Sequence, residues 1–283
     1  VTGLNATGDA LVYSTFIGGN ELDNGSDIAI DDAGNAYVVG ATWSNNFPTT
    51  QMAFDTSHNG LLDTFVARID PEGSELLYGT FLGGSLSDQG YAIFVDDASN
   101  AFVTGSTMSS DFPVTPVGFD QSFNGGSDAF VAKLNLTGNR LVYATFLGGS
   151  SSDFGLAITV DAADSVYLTG GTWSNNFPTT PSAFDTSING YGDAFVTKLN
   201  PEGNGLFYST FLGGFYYDDG RAIALGATGS VYLTGYTDSS DFPTTVGVFD
   251  TSFNGWQDAH AVKLSAQELL IFAQDTNQPP TID

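Results

Sequence analysis

The chain has 283 residues, 41% of them apolar and 13% charged, with 32 acidic against 6 basic side chains and a net charge of −26 at pH 7. That balance argues against nucleic acid as a partner, because holding a polyanion takes clustered Lys and Arg. The apolar share is that of a chain with a core, not of an acidic disordered tail, and the absence of Cys excludes disulfides and thiol catalysis.

Taken in order, the first element is a hairpin. "VTGLNATGDALVYSTFIGG" from Val1 aligns with "VAKLNLTGNRLVYATFLGG" from Val131, so the chain opens on the end of one strand and a full following strand. Alternating apolar and polar residues then predict strands at Ser26–Asp32 and, after a turn at Ala33-Gly34, at Asn35–Trp43. A long loop follows. "DTFVARI" at Asp63–Ile69 and "ELLYGTFLGG" at Glu75–Gly84 form a second hairpin around "DPEG". No helical spacing lasts three turns, and no run of 18 apolar residues occurs, so no membrane-spanning helix is expected.

The set then recurs. "YSTFIGG" at Tyr13, "YGTFLGG" at Tyr78, "YATFLGG" at Tyr143 and "YSTFLGG" at Tyr208 are 65 residues apart each time. Gly40, Gly105, Gly170 and Gly235 keep the same step, as do Phe47-Pro48, Phe112-Pro113, Phe177-Pro178 and Phe242-Pro243. A period this strict means one structural unit copied four times. Four short antiparallel strands per unit predict an all-β fold, a β-propeller built from four 65-residue four-stranded blades; immunoglobulin-like domains need about 100 residues each. The propeller is expected over residues 1–274, in repeats 11–75, 76–140, 141–205 and 206–270. Residues 275–283 ("NQPPTID" from Asn277) are expected to be a linker to a further domain. To close the ring, Leu11–Phe16 is expected to pair beside Ala259–Leu264, because a propeller must satisfy its sheet edges. The repeated strand glycines imply close backbone approach.

The combined pattern, "TFLGG" followed by "SD", "NAYVVG", "FPTT" and "AFDTS", resembles the bacterial and archaeal β-propeller repeat called SBBP, over nearly the whole chain. The resemblance implies a propeller in a secreted or surface-anchored multidomain protein, and no shared catalytic chemistry. "DTSHNGLLD", "DQSFNGGSD", "DTSINGYGD" and "DTSFNGWQD" resemble the calcium loops of integrin alpha-subunit propellers. Carried over by position, the ligands would be Asp55, Ser57, Asn59, Leu61 (carbonyl) and Asp63; Asp120, Ser122, Asn124, Gly126 and Asp128; Asp185, Ser187, Asn189, Tyr191 and Asp193; and Asp250, Ser252, Asn254, Trp256 and Asp258. The implied cofactor is Ca2+, about one per repeat. With two carboxylates per loop, binding is expected to be weak, roughly 10⁻⁴–10⁻³ M. Asn-Gly with capping Asp and Ser is equally the recipe for a tight Asx-type turn, so both readings stand.

Three further columns recur. Asp23, Asp88, Asp153 and Asp218 read as turn caps between units, and Arg68, Lys133, Lys198 and Lys263 as one structural ion pair per unit. His58 and His260 join no Ser–carboxylate pattern. Catalytic residues break repeat symmetry, whereas the marked acids obey it, so no enzyme is expected. Trp43, Trp173 and Trp256 raise a sugar-binding alternative, though a Trp at a strand end more often packs under its loop. The reading is a non-catalytic scaffold or adhesion propeller, extracellular or at the cell surface. Its partners would be a protein or glycan there, or copies of itself, with no membrane insertion. A carbohydrate-binding propeller is the alternative, a glycan-active hydrolase or lyase the more distant one.

Overall fold

In the computed structural model, which describes residues 1–265, every regular element is a strand. A short hairpin, β1 (Thr2–Leu4) and β2 (Leu11–Ser14), precedes three antiparallel meanders of four strands. The first is β3 (Asp23–Ile30), β4 (Ala36–Thr42), β5 (Asp63–Ile69) and β6 (Leu76–Leu82). The second is β7 (Asp88–Val95), β8 (Ala101–Thr107), β9 (Asp128–Leu134) and β10 (Leu141–Leu147). The third is β11 (Asp153–Val160), β12 (Val166–Thr172), β13 (Asp193–Leu199) and β14 (Leu206–Leu212). A last sheet holds β15 (Asp218–Leu225), β16 (Val231–Thr237) and β17 (Asp258–Leu264).

Each first strand starts earlier than alternation alone indicates, because a bulge separates its polar start from its apolar run. The register shifts between Gly25 and Asp27, and equally after Gly90, Gly155 and Gly220. The bulge turns the preceding carbonyl toward the neighbouring strand. A Cβ on Gly40 would lie 1.9 Å from the Asn24 oxygen, and one on Gly105 1.9 Å from the Gln89 oxygen. Gly170 meets Phe154 and Gly235 meets Asp219 in the same way, each at 1.8 Å. The expected close approach at these four glycines is therefore present, and its cause is the bulge.

Consecutive sheets pack face to face. β7 lies across β3, β4 and β5; β11 lies across β7, β8 and β9; β15 lies across β11, β12 and β13. One buried cluster joins the first and second sheets around Val39, Val66, Ile93 and Phe130. A second joins the second and third around Val131, Ile158, Leu168 and Phe195, and a third joins the third and fourth around Val196, Leu212 and Leu233. Tyrosines add a tie at the rim. Tyr78 of β6 lies against Gly138 in the β9–β10 turn, and Tyr143 of β10 against Gly203 in the β13–β14 turn. Both glycines have φ above +60°, the left-handed region that glycine adopts without strain.

The expected ring closure is not what the chain does. Leu11–Ser14 pairs with Thr2–Leu4, and β17 pairs with β16. No ladder joins β2 to β17, and no sheet closes on another among the described residues. The reason is local. The Asn5–Asp9 turn bonds to itself and brings β1 back along β2, and Tyr13 of β2 lies against Gly73 in the β5–β6 turn. The hairpin thus stands beside the first sheet as β6 stands beside the second. The expected linker at 275–283 lies outside the described residues, as does Leu269–Phe272, a segment expected to be displaced from the closing blade or added outside it.

Candidate functional site

The four acidic loops close through their own backbone. In the first, Asp55 accepts hydrogen bonds from Ser57 N at 2.8 Å and from Asn59 Nδ2 at 2.6 Å, while Asn59 N donates to Asp63 Oδ2 at 2.7 Å. Asp120, Ser122, Asn124 and Asp128 repeat this pattern, as do Asp185, Ser187, Asn189 and Asp193, and Asp250, Ser252, Asn254 and Asp258. The structure therefore brings together the first, fifth and ninth positions of each loop, and uses the main-chain N–H of the third, where a calcium loop would use its side chain. At the seventh position, Leu61 N donates to Leu86 O and Gly126 N to Ser151 O, tying the loop to the next sheet. The side chains of Leu61, Tyr191 and Trp256 are exposed. Among the described residues, no three His, Asp or Glu side chains form a cluster able to hold a metal ion.

The ninth-position acids do something else. Asp63, Asp128 and Asp193 open β5, β9 and β13, and each is completely buried. Short parallel bridges, Leu62 with Ser87, Ser127 with Ser152 and Gly192 with Tyr217, set each of them beside the acid that opens the next sheet. Asp88 faces Asp63, Asp153 faces Asp128 and Asp218 faces Asp193, across Gly83, Gly148 and Gly213. A Cβ on Gly83 would stand 2.9 Å from both Asp63 Oδ1 and Asp88 Oδ2. On Gly148 it would stand 2.8 Å from Asp128 Oδ1 and 2.9 Å from Asp153 Oδ2, and on Gly213 2.6 and 2.8 Å from Asp193 Oδ1 and Asp218 Oδ2. Oδ2 of Asp88 accepts from Gly84 N and Ser109 Oγ, and Asp153 and Asp218 have the equivalent donors. Oδ1 of Asp63, Asp128 and Asp193 has no hydrogen-bond partner.

Removing these acids from water penalises their charged form, and the facing acid adds repulsion. Burial pushes Asp63 up to about 6 and Asp128 and Asp193 up to about 7, with Asp88, Asp153 and Asp218 respectively adding to the rise. Burial raises Asp88, Asp153 and Asp218 too, against hydrogen bonds that favour their charged form. The sequence shows both columns but not their meeting, because the partners come from different sheets.

Three of the four cations of the column form the expected ion pair, and Lys263 does not among the described residues. Arg68 pairs with Asp31 at 2.8 Å, Lys133 with Asp164 at 2.9 Å and Asp96 at 3.4 Å, and Lys198 with Asp161 at 3.5 Å. Each also lies over an aromatic ring, Tyr37, Phe102 or Tyr167, and Lys263 lies over Tyr232. His260 stacks on Phe242 in the place of the buried Phe65, Phe130 and Phe195, and burial lowers its pKa. Trp173 packs edge-on against Phe154, whereas Trp43 is partly and Trp256 almost fully exposed.

One surface departs from the repeat. Where the other units have Asn20-Glu21-Leu22, Ser85-Leu86-Ser87 and Ser150-Ser151-Ser152, the last sheet begins with Phe215-Tyr216-Tyr217. Tyr191 contacts all three rings at 5.7–6.0 Å, and Trp173 meets Tyr217 at 6.2 Å. Tyr191, Phe215, Tyr216 and Tyr217 are exposed. Its signal in the sequence is the one triplet of the four made entirely of aromatic residues.

Stacked antiparallel meanders, with acids recurring once per unit, define an all-β repeat protein of propeller-like units. Two of the repeats match the SBBP family model, described as "Beta-propeller repeat", over residues 12–48 and 77–113. The chain is also similar to the regulatory protein FlaEY of Caulobacter vibrioides, 32% identical over 161 residues. That match covers 56% of this chain and 15% of the length of the relative.

Proposed function

We propose that the four 65-residue units are successive blades of a β-propeller that acts, without catalysis, as a rigid scaffold or adhesion module outside the cell or at its surface, with calcium stiffening its acidic loops. What carries this reading is the use made of the repeated acids. Asp31, Asp96 and Asp161 bond the backbone of the turns that follow them, and Asp55, Asp120, Asp185 and Asp250 do the same in the long loops. Side chains held by their own turns once per unit serve architecture, and a reaction would need a constellation that one unit has and the others lack. Incubation with a panel of polysaccharides, followed by measurement of reducing ends and unsaturated products, tests the absence of catalysis; any product above a denatured control overturns it. Melting in calcium and in chelator tests the stiffening, and identical midpoints remove it.

The aromatic patch of Tyr191, Phe215, Tyr216 and Tyr217 favours a second reading, a carbohydrate-binding propeller. Exposed flat rings offer faces on which the C–H side of a pyranose can stack. A glycan array separates the two: binding that Tyr216→Ala abolishes supports the sugar site, and a blank array leaves the scaffold reading.

A further inference from the structure

We propose that each seam between consecutive sheets is a site for a hard divalent cation of the calcium class, held between Asp63 and Asp88, between Asp128 and Asp153, and between Asp193 and Asp218. The proposal rests on the calcium-supported reading above and moves the ion out of the loops into the seams.

Three observations converge. First, one oxygen of every pair, Oδ1 of Asp63, Asp128 and Asp193, is fully buried and without a partner. A buried polar atom normally finds one, and leaving a charged acceptor empty is costly. A Cβ on Gly83, Gly148 or Gly213 would stand within 2.9 Å of that oxygen and of Oδ2 of the second acid, so the two carboxylates converge beside the glycine. The first Gly of each "LGG", having no side chain, thus lets the two acids approach each other.

Second, no cation of the protein answers them. Arg68, Lys133 and Lys198 pair with Asp31, Asp96, Asp164 and Asp161, Arg221 pairs with Asp219, Lys263 lies over Tyr232, and Arg140 is exposed. Those are the 6 basic residues of the chain. His58 lies near Asp63 in the first seam, and its counterparts Phe123 and Ile188 leave the other two seams without even an imidazole.

Third, the ends supply a contrast. Gly18 faces Asp23 alone, and Asp258 has its Oδ2 bonded by Asn254 N with no second carboxylate across a seam among the described residues. Half a site at either end and a whole site in each seam gives three ions among the described residues, whereas ligation within the loops gives four. Two facing carboxylates, completed by water, are the hard oxygen donors that calcium takes.

Chelator-treated full-length chain, titrated with calcium chloride by calorimetry and with terbium by luminescence, reads the number directly. The expected result is three ions for the wild type, two for Asp153→Asn and three for Asp120→Asn. Asp153→Asn should also lose about a third of the rise in melting temperature that calcium gives. Four ions, with one lost in Asp120→Asn and none in Asp153→Asn, would overturn the seam and leave the loops as the site. No binding to the wild type would overturn seam and loop readings together. Because the wild-type count alone separates three from four, failure of a variant to fold does not shield the proposal.

Discussion

Strands β3 and β7 begin with the same residue, Asp23 and Asp88, bulge after equivalent glycines, and carry isoleucines at equivalent places, Ile28 and Ile93. Their surroundings differ. Ile93 is 5% exposed and Ile28 49%, because β7 lies on a preceding sheet and β3 does not. A Cβ on Gly90 would meet Val39 at 2.5 Å and Thr64 at 2.7 Å, whereas one on Gly25 would meet only Val38, at 3.7 Å. The same unit is therefore core or surface according to its neighbour, so stability here belongs to seams more than to units.

The sharpest way to break that contrast is truncation. Ile93→Ala should lose about 3 kcal/mol, within the range for a buried aliphatic side chain, and Ile28→Ala less than about 1. Urea unfolding compares the two, and equal losses would mean that β3 is covered in solution. Next comes the ion-pair column. Lys133→Met strands Asp96, which is buried, and Asp164, which is half-exposed, so about 2 kcal/mol should go. At the far end Lys263→Met should cost less than about 0.5, since no carboxylate pairs with it among the described residues. A smaller difference is expected for the glycines: Gly90→Ala should destabilise by about 1–2 kcal/mol through overpacking, and Gly25→Ala by less than about 0.5. Thermal melts of the two variants decide whether the seam at Gly90 is as tight in solution as drawn.

The least effect concerns His260, which replaces a phenylalanine in the last sheet. Its folded pKa lies below the ordinary histidine value, so the unfolded chain binds the extra proton first as pH falls. The stability it permits is complete above about 6.5 and declines as pH drops below that value. His260→Phe should flatten this part of the melting curve against pH relative to wild type. Parallel curves for the two proteins would show that His260 is not titrating between folded and unfolded states.

Much of the unit was legible because it is written in short-range pattern. The four strands, the long loop before Asp63, the glycines opposite the bulges and the cations near turn acids all follow from residues within one unit, and repetition made each visible four times. The seams were not legible. Asp63 and Asp88 stand 25 positions apart in different sheets, and only the packing of one sheet on the next sets them face to face. Ring closure departs from the sequence expectation for the opposite, local reason: the Asn5–Asp9 turn gives β2 a partner in β1. The aromatic patch does not follow from what the repeats share, because Phe215-Tyr216-Tyr217 occurs in one of them alone.

The tyrosines at the rim have a mechanical consequence. Tyr13, Tyr78 and Tyr143 each close over a turn glycine of the following unit, Gly73, Gly138 and Gly203, so every latch joins nearest neighbours and none spans two units. Pulled from its ends, such a chain has no element that must break before all others. It should pay out in steps of one unit, each releasing on the order of 200 Å of extended chain as a single latch and a single seam give way. A row of these units under load would lengthen in graded steps instead of failing at one point.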